Sequence, residues 1–115
     1  MSLYRQLAMD PRDHLPLAPR DLLILAVLAE APLHGYGLIK AVEARSNAGV
    51  LLDSANLYRV LRRMTGLRWI QAVEGAKDSR RRTYEIAADG RTVLRAEVDR
   101  LEDLLNQARP AVAGG

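Results

Sequence analysis

The stretch DSANLYRVLRRM, Asp53–Met64, decides how this chain is read. Leu57, Val60, Leu61 and Met64 recur at i, i+3, i+4 and i+7, one apolar stripe at the α-helical period. Asp53 and Ser54 stand where a helix start needs side-chain oxygens for its unpaired backbone N–H groups. The opposite face carries Asn56, Arg59, Arg62 and Arg63, with Tyr58 on its flank, and no acidic residue within the helix answers the three guanidinium groups. A face of that kind asks for an anionic partner.

The charge distribution points the same way. Net charge is only +3, but Ser54 to Arg82 holds eight basic residues against Glu74 and Asp78, so this segment carries +6 and the rest of the chain −3. Positive charge concentrated in one contiguous third of a chain is the footprint of a polyanion-binding surface, although a solvated basic face would look similar. At 115 residues the chain is one domain with room for a single small core. That core must be Leu, Val, Ile and Ala, since there is one Trp and no Phe. The absence of cysteine excludes disulfides and thiolate metal sites. The longest apolar run, LLILAVLA at 22–29, falls far short of the ~20 residues that span a bilayer. A cytoplasmic protein with no membrane contact is therefore expected.

Working outward from the opening helix, residues 1–19 form an N-terminal extension, partly helical or flexible, in which SLYRQLAM offers two helical turns before Pro11, Pro16 and Pro19 favour an extended connector. Pro19 opens a helix, PRDLLILAVLAEA, apolar almost all round and hence central to the core. HGYGLIKAVEARSN follows as a second helix, with Leu38, Ile39, Val42 and the stem of Arg45 at helical spacing. After the opening helix, WIQAVEG and RRTYEIA flank the polar AKDSR, which reads as a β-hairpin. The last segment is a helix over 88–109, stopped by Pro110, with 110–115 as a tail. Leu94, Val98, Leu101, Leu105 and Ala108 are spaced 4, 3, 4 and 3, the seam of a coiled coil, and Leu104 broadens it. Glu97, Asp99, Arg100, Glu102 and Asp103 take the other faces. The seam serves either the chain's own core or a second copy, and dimerisation is the favoured reading.

Three helices, a hairpin and a long terminal helix define a mostly α fold with a small β-hairpin: a winged helix-turn-helix over 20–87 with a C-terminal dimerisation helix over 88–109. The third helix of such a fold enters the DNA major groove, where arginine grips phosphate or pairs with guanine, and asparagine pairs with adenine. Ser54, Asn56, Tyr58, Arg59, Arg62 and Arg63 are the candidate contacts on that helix, with Lys77, Arg80, Arg81 and Arg82 on the wing. Alternation points Arg81 away from Arg80 and Arg82, so the wing should mainly supply phosphate contacts.

These residues resemble a family, the PadR-like transcriptional regulators, from about Asp21 to Leu105. The resemblance lies in LLILAVLAEAPLHGYGLIKAVE (22–43), with its His34-Gly35-Tyr36-Gly37 turn, in LYRVLRRM (57–64), and in RRRTYEIAADGR (80–91). Two departures stand out. Arg68 occupies a place where the family has glycine before the first wing strand, and Ala87 and Ala88 replace the usual cap of the last helix. The resemblance implies a homodimeric repressor, joined through the C-terminal helix by residues such as Leu94, Val98, Leu101, Leu104 and Leu105, on double-stranded operator DNA. It also implies a small-molecule effector at the dimer interface. Several members stack ligands on a Trp of that helix, whereas the one Trp here, Trp69, opens the wing and should anchor it to the third helix.

An enzyme has little to stand on: no nucleophile motif, no glycine-rich phosphate loop, and two histidines, His14 and His34, without a ligand partner at i+3 or i+4. No metal or cofactor is expected. The alternative is a winged-helix protein-interaction module without specific DNA binding, which would want apolar anchors on the outer face of the third helix.

Overall fold

The computed structural model describes residues 10–73 and 82–114. Among these, helices α1 (Pro19–Glu30), α2 (Gly35–Arg45), α3 (Ser54–Gly66) and α4 (Ala88–Ala113) combine with strands β1 (Leu33–His34), β2 (Ile70–Ala72) and β3 (Thr83–Ile86), after a 3-10 turn at Pro11–His14. No described helix is long and apolar enough to cross a membrane.

The apolar stripe of α3 is its inner face. Leu57, Val60, Leu61 and Met64 are all buried, and they meet Ile24, Leu25 and Leu28 of α1 and Leu38 and Val42 of α2. Each such side chain stabilises the fold by roughly 1.5–3 kcal/mol relative to exposure. Trp69 is only 3% exposed and joins this core, the anchoring role expected of it. Its indole N–H has no hydrogen-bond partner among the described residues, and the His14 ring stands perpendicular to it, centroids 5.2 Å apart.

Local chemistry sets the boundaries. His34 caps α2 by accepting the Gly37 N–H on Nδ1 at 3.2 Å. Asp53 caps α3 by accepting the Asn56 N–H at 2.8 Å. α3 ends with Trp69 N–H donating to the Met64 carbonyl and Arg68 N–H to that of Thr65, both at 3.0 Å. This closure puts Arg68 at φ 64°, the left-handed conformation that glycine adopts freely. The helix therefore ends in the geometry of a glycine stop with an arginine in the position. α4 starts at Ala87 without a side-chain cap, as its two alanines led one to expect.

Several readings of the sequence need correction. The sheet has three antiparallel strands in the order β1-β3-β2, because Leu33 and His34 pair with Tyr84 and Thr83 on the edge of β3 that a two-stranded hairpin would leave open. Two residues are too few to show an alternating pattern. α4 runs through Pro110 to Ala113, so it does not end at 109. Proline forfeits one bond to the preceding turn, yet its fixed φ is helical and Gly114 N–H donates to its carbonyl at 3.0 Å. Arg45 does not lie along the apolar stripe of α2; it is exposed and pairs with Glu30 at 2.7 Å. Finally, residues 10–18 do more than connect: Leu15 and Leu17 pack on the core. The helical turns expected before them lie outside the described residues.

Glu97 explains how that segment is held. Read as an outer-face residue of α4, it is 1% exposed and accepts the Leu17 N–H at 2.7 Å. Arg100 donates to the same carboxylate, Nη2 at 3.0 Å, and this bond holds the Glu97 carboxyl below its ordinary range against the opposing effect of burial. Gly90 lets the start of α4 lie on the wing, since a Cβ there would stand 2.1 Å from the Trp69 carbonyl oxygen. The backbone approach is that close because Ala87 N–H donates to the same carbonyl at 2.8 Å.

Candidate nucleic-acid interface

With its stripe buried, α3 turns the rest of its circumference to solvent. Ser54, Tyr58, Arg59, Arg62 and Arg63 are exposed, and Arg59 and Arg62 have no ion-pair partner among the described residues. At about 100° per residue these two lie nearest the outward direction, opposite the buried stripe. Arg63 and Tyr58 lie to either side of them.

The two flanks are built differently. On one side, Arg63 donates to Asp21 in the first turn of α1, a carboxylate whose side chain is only 6% exposed. Arg20 donates to the other oxygen of that carboxylate at 3.3 Å. The expectation of three uncompensated arginines is thus corrected to two, because the counter-charge comes from another helix 42 residues away. On the other side, the Tyr58 hydroxyl stands where a side chain at Gly35 would meet it at 3.1 Å, so glycine lets the first turn of α2 lie against this ring.

Asn56 is also spoken for. Its side-chain amide donates to Asp53 at 2.9 Å while its backbone N–H takes the other carboxylate oxygen, which makes it part of the cap. Arg82 is exposed just before β3. Lys77, Arg80 and Arg81 lie outside the described residues.

Two exposed groups escaped the sequence reading. Tyr36 is 66% exposed at the start of α2, and the Lys40 ammonium lies 5.6 Å from its ring centroid. The His-Gly-Tyr-Gly stretch was legible as a turn, but only the packed fold shows that Tyr36 faces outward. Arg20 gave no signal either, since its relation to α3 runs through Asp21.

A second exposed surface lies on α4. Leu94 is half-buried against the chain's own core, and Leu101 is half-buried as well. Val98, Leu104, Leu105 and Val112 are 40%, 53%, 51% and 79% exposed. The seam is thus divided: Leu94 serves the domain, Leu101 is half-buried, and Val98, Leu105 and Ala108 face outward. Val112, four residues beyond Ala108, extends the same spacing past the expected helix end.

A helical core, a small antiparallel wing and a basic outer face on the third helix define a winged helix-turn-helix of the DNA-binding kind. The model of the transcriptional regulator PadR-like family matches residues 24–96, more than half of the chain, which therefore belongs to that family of regulators rather than to any class of enzyme. Similar solved structures include a PadR-like transcriptional regulator from Bacillus cereus (TM-score 0.68, 18% identity, covering 83% of this chain and 92% of that one). A PadR family transcription regulator from Clostridium difficile is similar at TM-score 0.62 and 22% identity, with 78% and 97% covered. RosR from H. salinarum is similar at TM-score 0.63 and 25% identity, with 83% and 80% covered. Among curated proteins, none matches the chain.

Proposed function

We propose that this chain is a homodimeric repressor that reads a palindromic operator with two copies of α3 and is released by a small molecule at the dimer interface. The observation that carries the reading is the outer face of α3: Arg59 and Arg62 are exposed and unpartnered among the described residues, and the Leu, Val and Met side chains of this helix are all buried on its other face. An arginine fork can make paired bonds to guanine O6 and N7 or hold phosphate. Ser54 and Tyr58 are suited to phosphate, and Arg82, Lys77, Arg80 and Arg81 to the backbone beside the groove. Asn56 is left out of base reading, since its amide is held by Asp53.

The apolar stripe from Val98 to Val112 supports pairing of two chains through α4. Two α3 helices bind one face of DNA together only when the dimer spaces them about one turn, ~34 Å, apart. An effector that prefers another spacing weakens operator binding by no more than its differential affinity for the two states.

Fluorescence anisotropy tests the reading, with labelled duplex from upstream of the protein's own gene, a scrambled duplex, a salt series and Arg62→Ala. Preference for the native duplex, a steep salt dependence and roughly 10- to 100-fold weaker binding by the variant are expected. Absence of binding to either duplex at low salt would move the reading to a protein-interaction module.

A further inference from the structure

Two arginines from different helices share one buried carboxylate beside the α3 face. One oxygen of Asp21 accepts Nε of Arg20 at 3.3 Å and the other accepts Nη2 of Arg63. The carboxylate is 6% exposed, but the two arginine side chains are 39% and 49% exposed. Each guanidinium is therefore pinned by one nitrogen and offers its remaining N–H groups outward. Arg59 lies one turn before Arg63 on α3, and Arg20, Arg59 and Arg63 line one concavity of about 160 Å³ over Val60. Three guanidinium groups at this opening, two of them paired with one carboxylate, leave an excess of two positive charges there.

We propose that this cluster is a preorganised phosphate clasp: Arg20 holds the DNA backbone together with Arg59 and Arg63, and Asp21 is the positioning residue that aims the pair. The proposal rests on the DNA-binding reading of α3 and extends it to α1. Phosphate is the partner because Arg20 stands beside the recognition helix rather than on it, at the rim of the groove where the backbone runs. A pinned arginine also reaches less far than a free one, which suits the rim and not the base edges. Fixing both forks before contact removes the ordering that two long side chains would otherwise undergo on binding.

A merely structural role, in which Asp21 joins α1 to α3, makes opposite predictions about DNA. The test is anisotropy with the native and scrambled duplexes across a salt series, using the full chain, Arg20→Ala, Arg20→Lys, Asp21→Asn and Arg62→Ala, each checked for folding by circular dichroism. Arg20→Ala should weaken binding to both duplexes equally, by about 10-fold, and reduce the salt slope by about one. Arg20→Lys should keep the slope yet lose several-fold in affinity, because the charge remains and the fork does not. Asp21→Asn should also weaken binding several-fold, although it removes a negative charge from a basic surface.

Tighter binding by Asp21→Asn would overturn the positioning role. Unchanged affinity and slope in Arg20→Ala, alongside a weakened Arg62→Ala, would overturn the clasp while the DNA reading stands. Failure of the unmodified chain to bind either duplex would overturn both. Should Asp21→Asn not fold, the two Arg20 variants still decide the matter.

Discussion

The outer face of α3 and the distal face of α4 are both exposed on a single chain, and they want different things. Arg59 and Arg62 sit in water at no cost, because a guanidinium is well solvated there. Leu104, Leu105 and Val112 do not: each square ångström of apolar surface left in water forgoes about 25 cal/mol. A partner on the α3 face would therefore serve function alone, whereas cover on the α4 face would also add stability. Exposure alone separates neither, but polarity suits one to a polyanion and the other to a second apolar surface.

This contrast can be broken most sharply at α4. Replacing Leu101 and Leu105 together with Glu should leave a monomer by light scattering. Operator affinity should fall by about 100-fold or more, since two half-sites would no longer be linked in one molecule. A dimer that survives these changes would remove the stripe from the interface.

The next effect concerns Glu97, whose carboxylate ties the segment before α1 to α4. Glu97→Ala leaves the Leu17 N–H and Arg100 without their acceptor, and thermal melting should report a loss of about 2 kcal/mol. The sign of the pH dependence follows from the lowered carboxyl. A group ionised more readily in the folded state stabilises the fold above its unfolded value, near 4.5, and that contribution fades as pH falls through the lower folded value. Melting curves of the unmodified chain and Glu97→Ala should therefore converge below about pH 4.5. A gap that stays constant with pH would make the contribution one of shape rather than charge.

Smaller again is Arg68→Gly, which relieves a left-handed backbone position at the end of α3 and should stabilise the fold by about 1 kcal/mol. The least effect on stability belongs to Arg62→Ala, expected within about 0.5 kcal/mol of the unmodified chain. That variant sharpens the comparison, because its lost DNA affinity would then come without any lost stability.

The helix starts at Pro19, His34 and Asp53, the apolar stripe of α3 and the outward position of Arg59 and Arg62 were legible in the sequence. Periodicity and capping are settled between residues no more than four apart, so a single strand of text contains both partners. The same locality made the family resemblance readable in the turn at 34–37 and the pair at 57–58. What the tertiary structure alone decided involves partners far apart along the chain. Arg63 meets Asp21 across 42 residues and Glu97 meets Leu17 across 80. β1 borrows the open edge of β3. Glu97 read as an outer-face charge in the sequence and Asp21 as an acid suited to the start of its helix, yet both are buried at points where two elements must be held together. No local period encodes the angle at which α1 crosses α3 or α4 passes the N-terminal segment. The packed core sets those angles, and with them which charges are left for a partner.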